Sequence, residues 1–289
     1  MDGGLQKYRA FVVAADTGSI ARAAERLDYS VSSISRMVAD LETACGFPLF
    51  TRSKTGVSLT PDGLRLLVRA RAIVSECDRF SDEAASIAGA EVGTVRVGTI
   101  ASVATHILPR VLQRFRLDHP GVVCELLMGD YAEIEAWIAE GRVELGTVRL
   151  PAPPGFDSSL VASDGYVAVV PKAHSRANDG IFPMAAFAGD PFIALEHGSV
   201  SEVADLLAAN DMHIVPAYTV WDDYAVMALV EAGLGLGIVP SIMTRRCAYD
   251  VAFLPLDVPT RRRIAMAWRA DRSLTPAAAS FLATLEQPT

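Results

Sequence analysis

Between residues 19 and 42 the apolar positions repeat at helical spacing in two short runs. Ile20, Ala23, Ala24 and Leu27 share one face of a first helix, and Ile34, Val38 and Leu41 share one face of a second. Ser19 and Ser30 each stand where a helix start needs a hydroxyl to accept an unpaired first-turn N–H. Asp28 and Tyr29 break the period between the two runs, and Ala23 and Ala24 are small enough to let a second helix cross closely. Ser32, Ser33, Ser35 and Arg36 fall largely off the buried stripe, near the start of the second helix. The pattern predicts a helix-turn-helix whose second helix shows hydroxyls and a guanidinium to the outside, the form that enters a DNA major groove. An ordinary helical hairpin with solvated serines fits the same spacing.

The next segment favours the first reading. Residues 49–60, LFTRSKTGVSLT, predict two short strands around a Lys54-Thr55-Gly56 turn, with Arg52 and Lys54 at or near its tip. A basic hairpin beside a recognition helix is a wing, suited to the phosphate backbone or a minor groove. Thr60-Pro61-Asp62-Gly63 reads as a helix start, with Thr60 as cap, Pro61 in the first position and Asp62 complementing the helix dipole. The helical pattern then runs to about Ala88 without a proline. Leu64, Leu67, Val68 and Val74 form one apolar stripe, and Ile73, Cys77, Phe80, Ala84 and Ile87 a second, rotated from it. A small head cannot cover both. Pairing with a copy of itself is the simplest solution, and packing on its own C-terminal body is the alternative.

From a glycine-bearing hinge at 89–93 onward the pattern alternates. Strands are predicted at 94–98, 122–128 and 144–149, with a helix from about 101 to 116 and another at about 132–140. A second set has strands at 166–170, 192–196, 213–220 and 235–240, with helices at about 200–209 and 223–232; a strand at 264–269 and a helix at 275–285 close the chain. This alternation predicts α/β units built on parallel sheets. Ligands of open α/β sheets sit beyond the carboxyl ends of strands. That rule selects Thr99, Ala101, Ser102, Gly129, Thr147 and Arg149 in the first set, and His197, Ser199 and Trp221 in the second. Free N–H groups near Ser102 suit an anion such as a carboxylate, Arg149 can supply a bidentate partner, and Trp221 or His197 an apolar wall or orienting group. The plain alternatives are a surface cation at Arg149 and ordinary core at Trp221.

Charge sharpens this division. The 289-residue chain has a formal net charge of −8, yet residues 1–72 hold 10 Lys and Arg against 7 Asp and Glu, and the remainder 16 against 27. A mildly basic head on an acidic body suits specific DNA binding with little non-specific sticking. No charged-then-apolar leader is read at the N-terminus and no apolar run reaches the ~18 residues of a membrane span, so the expected location is the cytoplasm and no membrane partner is expected. Cys45, Cys77, Cys124 and Cys247 are scattered without metal spacing and are expected to be reduced thiols. The five histidines also lack metal spacing. GLGLG at 233–237 has a helix before it and a strand after it, the reverse of a dinucleotide fingerprint, and Gly233 reads as a helix end. No catalytic constellation is found, and no metal or cofactor is expected.

FVVAADTGSIARAAERL, SVSSISRMVADLE and GFPLFTRSKTGVSLTPDG resemble the LysR-type transcriptional regulators, and GLGLGIVP (233–240) and RRIAMAWRADRSLTPAAASFLATL (262–285) resemble that family's C-terminal half. The likeness covers nearly the whole chain. It implies a multidomain protein: an N-terminal, mainly α winged helix-turn-helix at 1–60, a linker dimerisation helix at 61–88, and a C-terminal α/β effector-binding domain at 89–289. The last would be two-lobed like a type II periplasmic binding protein, lobe I at about 92–162 and 266–289 and lobe II at about 163–265, with the chain crossing between lobes twice. By the resemblance, Phe50-Thr51-Arg52 leads into the wing, and the DNA-binding set is Ser19, Ser30, Val31, Ser32, Ser33, Ser35, Arg36, Arg52 and Lys54. The family often has Gln then Pro where this chain has Val31 and Ser32. Gln can read an adenine edge, whereas Val31 offers only apolar contact, as to a thymine methyl.

The expected function is therefore sequence-specific transcriptional regulation, not enzymatic, switched by a small effector between the lobes, with an organic anion as the expected class. The expected partners are double-stranded DNA carrying an interrupted palindrome upstream of target genes, the effector, further copies of the chain in a homodimer or homotetramer, and RNA polymerase. A constitutive regulator without a physiological effector is the alternative. A transport protein and a cleft enzyme are the competitors from other classes.

Overall fold

The computed structural model describes residues 2–53, 56–87, 92–195 and 201–287. It divides into two compact units, Met1–Gly93 with Ala139–Arg142, and Thr94–Ile138 with Val143–Thr289.

The first unit opens with α1 (Asp2–Thr17), which the periodicity argument does not reach. Gly3 and Gly4 weaken its start, and the run Ala10–Ala15 is apolar all round, so no single period stands out. It is followed by α2 (Ile20–Leu27) and α3 (Val31–Cys45). Phe11 and Ala14 of α1, Ala23 and Ala24 of α2, and Ile34, Val38 and Leu41 of α3 close one core with Leu49 and Phe50. The Phe11 and Phe50 rings meet edge-on at 5.3 Å. Glu42, near the end of α3, accepts the Leu49 and Phe50 N–H groups at 2.8 and 3.1 Å and so fixes where the next strand leaves the helix.

That strand, β1 (Phe50–Ser53), pairs antiparallel with β2 (Gly56–Leu59), Ser53 facing Gly56. Gly56 has φ +143°, and a Cβ there would lie 2.4 Å from the Gly18 carbonyl oxygen, so only glycine lets the hairpin sit against the α1–α2 turn. The next residue, Val57, donates its N–H to that same oxygen at 3.0 Å. The expected turn residues Lys54 and Thr55 lie outside the described residues.

α4 (Pro61–Ile87) begins as expected, with the Thr60 hydroxyl accepting the Gly63 N–H at 2.9 Å. Leu67 and Ala70 are buried in the head core, with Leu66 and Val74 packed against it. The helix is further tied to α1 by Arg9–Asp78 at 2.5 Å and Arg71–Asp16 at 2.6 Å. The first predicted stripe therefore splits. Leu67 and Val74 turn into the core, while Leu64 and Val68 stay exposed because α1 covers a narrower arc than the stripe occupies. Ile73, Phe80 and Ile87 of the second stripe are exposed, Phe80 at 77% and Ile87 at 83%. Of the expected hinge at 89–93, residues 89–91 lie outside the described residues.

The second unit holds two five-stranded sheets. Lobe I contains β3 (Gly93–Thr99), β4 (Val122–Met128), β5 (Leu145–Arg149), β6 (Phe156–Asp164) and β12 (Arg262–Arg269), in the order β4-β3-β5-β12-β6. Its helices are α5 (Ala101–His106), α6 (Leu108–Asp118), α7 (Tyr131–Glu140) and α10 (Pro276–Glu286). Lobe II contains β7 (Tyr166–Pro171), β8 (Phe192–Leu195), β9 (Tyr218–Val220), β10 (Leu236–Pro240) and β11 (Val251–Pro255), in the order β11-β7-β10-β8-β9, with helices α8 (Glu202–Ala209) and α9 (Asp223–Glu231). The return of the last strand and helix to the first lobe agrees with what the resemblance implies.

Three expectations are corrected, and two strands, β6 and β11, went unread. The sheets are mixed, not parallel, because β12 runs antiparallel to both β5 and β6, and β7 antiparallel to β10 and β11. The single helix expected after β3 is two, broken at Ile107, since Pro109 lacks an N–H and cannot continue the α5 ladder. The strand expected at 213–220 shrinks to Tyr218–Val220, with Pro216 removing a donor just before it. β6 went unread because it is an edge strand whose Asp and Ser residues mask any alternation. Gly233, with φ +73°, follows α9 and precedes β10, as the glycine-run argument requires.

Candidate functional site

In the head, the start of α3 carries the chemistry. The Ser30 hydroxyl accepts the Ser33 N–H at 3.1 Å and bonds the hydroxyls of Ser32 and Ser33 at 2.9 and 2.8 Å. Ser19 caps α2 by accepting the Arg22 N–H at 3.3 Å. Arg52 on β1 donates to the Ser35 hydroxyl at 3.4 Å, which couples the wing to the helix. Val31, 52% exposed, and Ser32 and Arg36 face solvent. Arg36 has no protein partner among the described residues. Four of the predicted serines, Ser19, Ser30, Ser32 and Ser33, thus have local bonds at helix starts, while Val31 and Arg36 have none. Lys54 lies outside the described residues.

In the second unit, a cavity of ≈ 330 Å³ opens between the two lobes. Its walls come from four helix starts: Ala101 and Ser102 of α5, Tyr131 of α7 with Asp130 before it, Glu202 of α8, and Asp223 of α9 with Asp222 before it. Ser201, Tyr166, Trp221 and Arg262 complete the polar lining, and Ile100, Met128, Leu195 and Val203 supply apolar wall.

The floor is an ion pair at the crossings between lobes, which fall after β6 and before β12. Arg262 is only 4% exposed and grips Asp164 through two bonds, Nε to Oδ1 at 2.8 Å and an Nη to Oδ2 at 2.9 Å. Its other Nη donates to the Ser102 hydroxyl at 3.3 Å. Asp164 also accepts the Ile242 N–H at 3.2 Å, so one carboxylate joins both lobes. Thr260 beside it accepts the Tyr166 N–H at 3.0 Å. Burial works against the charge on Arg262, yet its bonds to Asp164 hold it well above the ordinary guanidinium range. Burial pushes both phenols up, Tyr131 and Tyr166, with Glu202 adding to it. Burial also pushes Asp223 up to about 6, against the pull of Arg262.

Of the residues picked by the strand-end rule, Ala101, Ser102, Gly129 and Trp221 line the cavity. Thr99 and Thr147 are fully buried behind it, and Thr147 accepts the Ile100 N–H at 3.1 Å, which sets the start of α5. Arg149 stands outside the lining, with its guanidinium 3.4 Å from Asp205 of lobe II and 5.7 Å from the Tyr131 ring centroid. His197 and Ser199 lie outside the described residues. Sequence reasoning missed Tyr131, Tyr166, Glu202, Asp222, Asp223 and Arg262. Arg262 escapes a rule about carboxyl ends because β12 is antiparallel, so its amino end lies where the carboxyl ends of β3 and β5 do. Tyr166 escapes it in the same way, at the amino end of β7 beside the carboxyl end of antiparallel β10, and the signal that finds the others is a helix start that follows the strand by several residues.

A winged helix-turn-helix unit and a two-lobed α/β unit with a polar cleft define a DNA-binding protein that carries its own small-molecule receptor domain. The comparisons agree. Residues 5–64 match the family described as the bacterial regulatory helix-turn-helix protein, lysR family, and residues 88–288 match the LysR substrate binding domain. The chain belongs to the LysR family of DNA-binding transcriptional regulators. It is 30% identical over 274 residues to the probable regulator LrrA of Synechococcus elongatus, covering 94% of this chain and 92% of that one. It is also 30% identical over 292 residues to the Hca operon transcriptional activator HcaR of Escherichia coli, covering 98% and 97%. Among solved structures, full-length CbnR in complex with its target DNA superposes with a TM-score of 0.71 at 24% identity, covering 97% of this chain and 98% of that one, a likeness of fold.

Proposed function

We propose that this regulator reads DNA through the start of α3 and the β1–β2 wing, and that a small effector bound in the cleft sets how it does so. The observation that carries the reading is the exposed face of α3, where Arg36 and Val31 point to solvent at the helix's positive end with no structural duty. Arg36 reaches phosphate or guanine, Val31 packs on a thymine methyl, Ser32 and Ser35 bond the backbone or base edges, and Arg52 and Lys54 follow the phosphates. The exposed apolar stripe of α4, Leu64 through Ile87, serves self-association, so that paired heads meet two half-sites of an interrupted palindrome. A homotetramer doubles that arrangement, and RNA polymerase is the partner through which bound regulator acts. A protein that works on genomic DNA works in the cytoplasm. It is a regulator, not an enzyme.

Effector control follows from the cleft. Only a ligand with different affinity for two lobe arrangements shifts their balance, and the Asp164–Arg262 pair lies where such a shift must pass. Arg36→Ala is expected to weaken binding to the DNA upstream of the protein's own operon by about 1–3 kcal/mol in a gel shift, with thermal stability unchanged. Equal competition by unrelated DNA overturns the specific-regulator reading.

A further inference from the structure

We infer that the cleft takes a small organic cation, a protonated amine on an apolar body, in place of the organic anion that its position on the sheets suggests. The inference rests on the cleft being the effector site and adds the effector's charge.

The lining carries four carboxylates, those of Asp130, Glu202, Asp222 and Asp223, against one guanidinium, that of Arg262. Most groups suited to an anion are already engaged, the uncapped start of the six-residue α5 apart. Arg262 gives two bonds to Asp164 and one to Ser102. The starts of the longer helices are closed by the chain's own side chains: Asp222 accepts the Tyr224 and Ala225 N–H groups at 2.8 and 3.1 Å, Ser201 accepts that of Ala204 at 3.2 Å, and Asp130 accepts that of Glu133 at 2.7 Å. An incoming carboxylate would find only the first-turn N–H groups of α5 uncapped, and a negative wall around them.

The unengaged group of opposite character is a carboxylate oxygen. Asp223 Oδ1 and the Tyr131 hydroxyl are buried without a hydrogen-bond partner among the described residues, while the Tyr166 hydroxyl reaches Glu202. Asp223 is 8% exposed and Tyr166 7%, and both line the cavity. A buried carboxylate without a donor is costly, and an ammonium brings three donors and the compensating charge. Glu202 acts on both phenols from the other side of the cavity, so the negative field is shared between α8 and α9. The apolar wall of Ile100, Met128, Leu195 and Val203, with Trp221, suits a hydrocarbon body, and the cavity volume is at the small-ligand end of the usual range. The raised Asp223 carboxyl adds that an ammonium binds best above pH about 6, where Asp223 is ionised despite Asp222 and Glu202 beside it and with Arg262 opposing.

The test measures thermal shift and calorimetric binding of the full chain with phenethylamine and with the similarly sized phenylacetate, at mildly alkaline pH. The proteins are the unaltered chain, Asp223→Asn and the cleft-filling Ala101→Trp. The expected result is a dose-dependent rise in Tm with the amine only, its affinity reduced at least about tenfold by Asp223→Asn and abolished by Ala101→Trp. Binding of the carboxylate alone, abolished by Ala101→Trp, overturns the charge assignment and leaves the cleft reading standing. Binding of either probe that neither variant weakens overturns the cleft reading itself. No shift with the amine overturns the inference.

Discussion

The head and the body of this protein use charge in opposite ways. In the head, Arg36 makes no contact that the fold needs, and α3 would stand without it. In the body, Arg262 is buried, paired and shared between lobes, and the carboxylates around it are tied into helix starts or left unsatisfied. A DNA-reading surface must offer its groups to a partner that is always the same polyanion, so its cations stay outside. A ligand cleft must distinguish small molecules and change shape, so its charges are placed where removing one disturbs the scaffold.

The largest test of this contrast is Arg262→Ala. It leaves Asp164 buried without its bidentate partner and is expected to cost about 3–5 kcal/mol, a fall in Tm of roughly 10 °C for a unit of this size. Arg36→Ala, an equal change in charge, is expected to leave Tm unaltered. A Tm for Arg262→Ala within error of the unaltered chain would show that the pair contributes nothing and that the contrast is false.

Asp223→Asn probes the same side with the opposite sign. The folded carboxyl, raised to about 6 from 3.8, holds its proton more tightly than in the unfolded chain. The contribution of Asp223 to stability is therefore greatest below the ordinary carboxylate range, falls as pH rises toward about 6, and carries the full cost above it. That cost is about 2–3 kcal/mol. Asp223→Asn is expected to raise Tm at neutral pH and to flatten the dependence between the two values. A variant less stable than the parent at neutral pH would mean that Asp223 is a structural acid.

The same contrast explains what was legible in the sequence. The head is local: caps, stripe and wing follow one another within about forty residues, and each has a signature of its own. Ser19, Ser30 and Thr60 cap where a capping pattern says they must. The cleft gathers segments from Ile100 to Arg262, and its most consequential residue lies at the wrong end of a strand for the rule that seeks such sites. That β12 runs antiparallel is a fact of topology, which periodicity does not carry. The anion expectation rested on residues whose partners lie outside any local pattern. It drew on Ser102 and Arg149, and the structure sets the Ser102 oxygen against Arg262 and the Arg149 guanidinium against Asp205, partners far along the chain.

Glu42 shows that the head has one hidden structural charge of its own. It accepts two N–H groups at the start of the wing, a contact seven and eight residues away that no helical pattern announces. Glu42→Ala leaves both donors without that acceptor and is expected to cost about 2 kcal/mol, read as a lower Tm. It is also expected to loosen the wing and so weaken DNA binding. Loss of DNA binding with Tm unchanged would instead make Glu42 part of the reading surface, and the head would be less cleanly divided between structure and function than the body.

The smallest expected effect falls on Arg52, which belongs to both categories. It is exposed on β1, yet it touches the Ser35 hydroxyl at 3.4 Å. An exposed cation bonded to a neutral hydroxyl adds little to stability, so Arg52→Ala is expected to leave Tm nearly unchanged. If the guanidinium follows the DNA backbone, its removal takes away one neutralised phosphate. The slope of log affinity against log salt then falls by about 0.9, and binding weakens by a similar factor on operator and unrelated DNA. If its purpose is to aim Ser35 at a base, the slope stays and discrimination between operator and unrelated DNA narrows. Titrating both DNAs over a range of salt separates the two, and an unchanged slope with lost discrimination would move Arg52 from backbone contact to base reading.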